Sequence, residues 1–315
     1  MSDAGLKVLF LGTPQFAVPT LDAILASSHT VVGVVSQPDR PRRRGQRVSP
    51  SPVKQRALES SIPVLQPVKM KDETLLSALR ALNADLGVVA AYGRILTDDI
   101  LTIPRLGMIN VHASLLPRYR GAAPVHRAII NGERETGVTI MRVVLALDAG
   151  PMMASTRRAI GSDETSEVVE QDLARLGASL LVTTVDALAD GTATETPQNE
   201  SETTYAHRLT KEEGVIDWTL PAQQLHNRVR GLQPWPHTQT TLKGHRLIVL
   251  RSSAVAEAST ASPGTILSAT GDDLRVATGD GALRILELQP EGKRPLTARE
   301  FLAGHRLTAG DCFGT

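Results

Sequence analysis

Asn110 and His112 stand two residues apart in the run Met108-Ile109-Asn110-Val111-His112, and Asp148 follows Leu145-Ala146-Leu147 just ahead of Ala149-Gly150. A β-strand alternates its faces, so an amide and an imidazole at this spacing point the same way. On an otherwise apolar strand such a pair costs free energy in a core unless each group finds a partner. Two readings are open. Either the pair is satisfied and structural, or it faces the crevice that open α/β sheets form at the carboxyl ends of their strands. Asp148 favours the second, because it follows the apolar run Val138–Val144 and a carboxylate at that strand end can pair with the imidazole.

Other chemistries fit these residues less well. His112 and Asp148 are only two ligands for a metal, and the next histidine, His126, falls in a helical stretch, so no metal is expected. A hydrolase using Ser114 lacks the G-x-S-x-G elbow. Gly12 stands alone after the first apolar run, without the G-x-G-x-x-G fingerprint, so no nicotinamide cofactor is expected.

The elements that must position these groups read as an α/β pattern. Apolar runs at Leu6–Leu11, Val31–Val35, Val64–Gln66, Leu86–Ala91 and Met108–His112 read as strands, with a further one at Val138–Val144. Helical spacing marks 16–26, 53–59, 71–83, 124–130 and 163–190, with Gly177 a possible break in the last. Strand–helix–strand at this spacing implies a Rossmann-like, mostly parallel sheet with helices on both faces. Tyr92-Gly93-Arg94 then forms a loop at the same sheet edge as the candidate site. Residues 191–207 are polar and aperiodic and read as a linker. Beyond Pro236 the runs are short and β-like, with Gly279-Asp280-Gly281 as a hairpin turn, which suggests a small C-terminal β-barrel. The expected division is 1–190, 191–207 and 208–315.

Composition sets the limits. A chain of 315 residues with 41% hydrophobic and 21% charged residues can bury a sizeable core, and disorder is not expected. The net charge of +1 gives no global field for nucleic acid, so any such binding needs local clustering. One cysteine, Cys312, excludes an internal disulfide; it lies outside any motif, near a chain end expected to be frayed. No segment approaches a membrane span and no signal-peptide pattern opens the chain, so a cytoplasmic, membrane-free protein is expected, acting as a monomer.

Charge does cluster at Gln37–Pro52. Arg40, Arg42, Arg43, Arg44 and Arg47 fall within eight residues, interleaved with proline. Helix and strand are both disfavoured there, and an exposed, mobile loop is expected. It is either a solvated loop of incidental charge or a phosphate-binding arm.

The string N-V-H-A-S-L-L-P-R-Y-R-G-A-A-P (110–124), with F-L-G-T-P (10–14), Q-P-D-R-P (37–41), V-V-A-A-Y-G-R-I-L (88–96), E-T-G-V-T-I-M (135–141), L-D-A-G (147–150), L-T-K-E-E-G-V-I-D-W (209–218), P-W-P (234–236) and A-T-G-D-G (277–281), resembles the folate-dependent formyltransferases almost end to end. The resemblance implies 10-formyltetrahydrofolate as formyl donor, initiator methionyl-tRNA as acceptor, and an OB-like C-terminal domain that touches the tRNA. It makes Asn110, His112 and Asp148 catalytic and puts folate at Ser114, Leu115, Leu116 and Pro117, with Tyr92 and Gly93 beside them. Arg40, Arg42, Arg43, Arg44 and Arg47 would grip tRNA near the acceptor stem, with Gly45 giving room to bend. A sugar-nucleotide or glycinamide formyltransferase, or an RNA-binding protein on a degenerate scaffold, are the competing readings. Val144 and Pro151 depart from the acidic residue and the aspartate common at those positions, which puts the loop shape near Asp148 in question.

Overall fold

The computed structural model describes residues 5–42 and 47–314. The chain forms two compact units, one of Met1–Pro124, Thr136–Arg158 and Glu170–Ala206, the other of Val125–Glu135, Ala159–Val169 and His207–Thr315.

The first unit is built on a seven-stranded sheet. Lys7–Gly12 (β1) is buried along its length after Lys7, as a central strand covered on both faces must be. Val18–Leu25 (α1) leads to Thr30–Val35 (β2), parallel to β1. The chain then leaves the sheet for Arg40–Arg42 (β3) and Arg47–Ser49 (β4) and returns through Pro52–Glu59 (α2), which Ser51 caps by accepting from the Lys54 N–H. Val64–Leu65 (β5), Glu73–Ala81 (α3), Leu86–Ala90 (β6), Asp98–Leu101 (α4) and Met108–His112 (β7) follow. Arg120–Gly121 (β8) and Pro124–Ile130 (α5) precede Glu135–Arg142 (β9), which lies antiparallel to β7. Met152–Ala159 (β10) is an edge strand that alternation of apolar residues did not announce, because its sequence, MMASTRRA, is polar beyond Ala154.

The strand order β10-β9-β7-β6-β1-β2-β5 carries the functional information. The chain moves outward from β1 to β2 and β5, then crosses back to β6 on the other side of β1. Ligands bind at such a reversal, outside the carboxyl ends of the strands. The loops that open there are tied together: Thr13 Oγ1 and Gln37 Nε2 both donate to the Tyr92 carbonyl, at 3.2 and 2.8 Å. β7 lies beside β6, so the end of β7 reaches the same edge.

Ser166–Ala189 (α6) runs through Gly177 without a break. The glycine is there for contact. A Cβ at 177 would lie 2.8 Å from Val111 Cγ1 and 3.2 Å from Val138 Cγ1, so the helix can approach β7 and β9 only without a side chain. The stretch 191–207, read above as a linker, is docked: Thr196 bridges Met152, and Tyr205–Ala206 (β11) pairs parallel with β8.

The arginine-rich segment corrects an expectation. Strand was disfavoured there, yet β3 and β4 pair antiparallel with Pro41 opposite Val48. In a two-stranded ribbon each strand is an edge, and an edge tolerates a residue without an N–H. The base of the ribbon is anchored. Lys54 Nζ holds Asp39 at 2.6 Å and Gln66 at 2.7 Å, and Gln66 Nε2 donates to the Gln37 carbonyl. Arg43, Arg44 and Gly45 lie outside the described residues.

In the second unit, Ala222–Gly231 (α7) is followed by Thr238–Leu242 (β12), His245–Val255 (β13), Ile266–Thr270 (β14), Asp273–Ala277 (β15), Ala282–Pro290 (β16) and Leu296–Thr297 (β17). They make an antiparallel sheet of order β12-β13-β16-β15-β14, with β17 on β16. Residues 278–281 turn the β15–β16 hairpin, as expected. Leu274, Leu283, Ile285 and Leu288 meet α7 and Ala298–Gly304 (α8) in one core. The tail is not frayed: Phe313 is buried, stacks on Trp218 at 5.8 Å, and its N–H donates to the Gly264 carbonyl. Among the described residues, no helix is long and apolar enough to cross a membrane.

The tight approach at Gly177 is testable. Gly177→Val should lower stability by about 2 kcal/mol, the cost of overpacking a filled contact. Chemical denaturation checks this, and an unchanged midpoint would show that α6 has room to shift.

Candidate active site

Asn110 and His112 share one face of β7, and the strand around them is core: Met108, Ile109 and Val111 are buried. His112 is 5% exposed, so both ring nitrogens need partners. Nε2 lies 3.0 Å from the Tyr119 carbonyl oxygen and therefore carries a proton. Nδ1 lies 3.7 Å from Asp148 Oδ2. Each nitrogen thus faces an oxygen, and the contact with Tyr119 fixes the orientation of the ring. Asn110 is half-buried, and among the described residues nothing hydrogen-bonds its side-chain amide. A free amide beside a clamped imidazole is a donor in waiting.

The backbone bends to make this arrangement. Tyr119 and Asp148 both adopt left-handed conformations, at φ 62° and 46°. An aspartate tolerates that region better than most residues. The Asp148 carboxylate accepts from the Gly121 N–H at 2.8 Å, and Gly121 itself sits at φ 121° with the Ala206 carbonyl where a Cβ would be, 2.8 Å away. The 143–151 loop closes through the Arg142 N–H, which donates to the Pro151 carbonyl at 2.9 Å. Pro151 therefore serves as a closing residue, and the departure from aspartate leaves Asp148 in place.

The expected folate residues fall into two groups. Ser114 is buried with Oγ donating to the Arg118 carbonyl at 2.6 Å; Leu116 and Pro117 are buried as well, and Leu115 is half-buried. The Tyr92 ring is 1% exposed, in the core with Leu9 and Ile100, so it shapes the rim from beneath and presents no ring to a ligand. Gly93 is exposed. What the sequence reading passed over is the apolar surface leading to the aspartate. Leu145 and Leu147 are 63% and 56% exposed, and Val144 is exposed too. The signal was present in L-A-L-D: leucines that no core claims, directly before the Asp148 carboxylate.

The chain matches the Formyl transferase family over residues 6–185 and the Formyl transferase, C-terminal domain over residues 208–306. It belongs to the formyl transferase family. A Methionyl-tRNA formyltransferase from Methylococcus capsulatus is 48% identical over 310 residues, covering 98% of this chain and 100% of that one. A Methionyl-tRNA formyltransferase from Geobacter metallireducens is 47% identical, with 98% of each chain covered. Among solved structures, the N-formyltransferase from Helicobacter canadensis, in complex with folinic acid and dTDP-3-aminofucose, has a TM-score of 0.68 over 89% of this chain and 98% of that one, at 18% identity. A variant of HypX from Aquifex aeolicus scores 0.64 at 16% identity; it covers 95% of this chain, which spans only 47% of that longer protein. These two likenesses concern the fold.

As a formyl transferase the site is legible. Asn110 and His112 share a strand face with the Asp148 carboxylate beside the imidazole; among the described residues, no group of three His, Cys, Asp or Glu could hold a metal ion. Asn110→Ala and His112→Ala should each lower kcat by about 10²–10³-fold, the usual cost of losing one oxyanion donor, while folate binding persists. Steady-state kinetics with a direct folate-binding titration checks this. Near-normal turnover by either variant would remove that residue from the mechanism.

Proposed function

We propose that this enzyme transfers the formyl group of 10-formyltetrahydrofolate to the free amino group of methionyl initiator tRNA. The observation that carries the reaction is the half-buried Asn110 amide, unpartnered among the described residues, on the same strand face as an imidazole that donates to the Tyr119 carbonyl and faces Asp148 at 3.7 Å. The donor supplies an activated formyl carbon. Asn110 hydrogen-bonds the formyl oxygen as negative charge grows there, and does so without reorganising. His112, its ring fixed by the Tyr119 carbonyl, places its imidazole beside the same oxygen. Asp148 faces that ring and accepts, through water, the proton the attacking amine loses; as the new C–N bond is completed the bond from the formyl carbon to N10 of the donor breaks, and that proton passes through water to N10 of the departing tetrahydrofolate. Exposed Leu145 and Leu147 offer apolar surface for the flat ring of the folate, and Gly93 with the Ser114–Pro117 backbone frames it from the sheet edge.

The acceptor rests on two supports: the relatives' names and the arginine ribbon. The ribbon follows β2, so it leaves the sheet at the carboxyl edge where the site lies, and its base is anchored by Lys54, Asp39 and Gln66. By their charge in the sequence, Arg40, Arg42, Arg43, Arg44 and Arg47 would meet the phosphates of the tRNA. The catalytic machinery lies within residues 1–190, and residues 208–315 offer a second tRNA surface. With that substrate the enzyme works in the cytoplasm, and one chain carries all three catalytic side chains, so a monomer suffices.

Replacing Arg42, Arg43 and Arg44 together with alanine should weaken tRNA binding and flatten its dependence on log[salt], since each neutralised phosphate contributes a slope of about −0.9 on duplex nucleic acid. Affinity for the folate donor should not change. A triple variant with the wild-type affinity and slope would make the ribbon a solvated surface.

A further inference from the structure

Asp148 is held at both ends by one short strand. Its carboxylate accepts from the Gly121 N–H at 2.8 Å. Its own carbonyl accepts from Gln198 Nε2 at 2.8 Å, and the same amide nitrogen donates to the Gly150 carbonyl at 2.7 Å. Gln198 cannot turn to do otherwise, because Arg120 Nε and Nη2 both donate to its Oε1, at 3.0 and 2.8 Å. Arg120 is 2% exposed, and its Nη1 and Nη2 are also engaged by the Glu200 carboxylate, at 3.1 and 2.7 Å. Arg120 and Gly121 are the two residues of β8, so carboxylate and main chain of the aspartate return to the same strand.

The need for such a clamp is visible in the backbone. Asp148 holds a left-handed conformation, which costs a non-glycine residue free energy and persists only where the surroundings enforce it. The Asp148 and Gly150 carbonyls converge on one donor, and without it both would lose their partner and repel. From these contacts we infer that Gln198 is a positioning residue for the formyl transfer, setting the Asp148 carboxylate against the imidazole, with Arg120 fixing the orientation of the amide. Gln198 touches no reacting atom; it acts through Asp148. This inference rests on the formyl-transfer reading of the same site.

Gln198→Glu tests it. The carboxylate keeps the acceptor for Arg120 and removes the donor to both carbonyls. The variant should show kcat lowered by about 10- to 100-fold, in the range that a misplacement of about 1 Å produces. KM for the donor and for methionyl-tRNA should stay within about 2-fold. Because Gln198 acts through Asp148, Gln198→Glu combined with Asp148→Asn should be no slower than Asp148→Asn alone; residues acting as one unit are not additive. Should Gln198→Glu fail to fold, Gln198→Leu is judged by the same two criteria. Turnover within 2-fold of wild type, or losses that multiply in the double variant, would overturn the clamp while wild-type formylation in the same assay leaves the reading of the site standing. A wild type that transfers no formyl group would instead sink that reading.

Discussion

A buried imidazole must find a partner for each of its nitrogens, and much of the architecture around β7 answers that requirement. His112 faces the Tyr119 carbonyl on one side and Asp148 on the other. Neither partner is reached by a relaxed chain. Tyr119 and Asp148 both turn through positive φ, and Gly121 is present where a side chain would strike the Ala206 carbonyl. For the proposed formyl transfer this arrangement amounts to electrostatic preorganisation: dipoles are fixed before any substrate arrives, so little is left to reorganise during reaction.

The sheet supplies the frame for this preorganisation. The reversal from β5 back to β6 falls at the carboxyl edge, where the loops after β1 and β6 are tied through Thr13 and the Tyr92 carbonyl, and the loop 113–117 leaves β7 at the same edge. Placing the arginine ribbon after β2 keeps it on the same edge as the chemistry. The β7 strand is held from behind by Gly177, whose missing side chain lets α6 rest on Val111, the residue between Asn110 and His112. Stability and function therefore share one strand: its apolar residues fill the core, and its two polar ones serve the site.

Much of this was legible in the sequence. Asn110 and His112 announced themselves as polar residues two apart on an apolar strand, and the α/β order followed from periodicity. Other features carried no periodic signal. β10 is an edge strand of polar residues, and β3 and β4 form in a proline-rich stretch because a ribbon has only edges. α8 had a signal that apolar spacing does not read: Thr297 and Glu300 make a capping box, with Glu300 held down to about 2 by Arg294 and Thr297. Gln198 could not have been found at all. A glutamine in a polar, aperiodic stretch looks like a linker residue until the fold sets its amide against two carbonyls fifty residues earlier in the chain.

The central claim is that Asp148 acts by its charge beside a fixed imidazole, and an isosteric replacement isolates that charge. Single-turnover transfer of labelled formyl from 10-formyltetrahydrofolate to methionyl initiator tRNA can be followed in wild type and in Asp148→Asn, with binding of both substrates titrated on the same samples. The expected result is rapid transfer by the wild type, with both substrates bound normally by the variant and transfer slowed by about 10²–10³-fold, the scale of losing one preorganised charge. Transfer by Asp148→Asn at the wild-type rate would contradict the account.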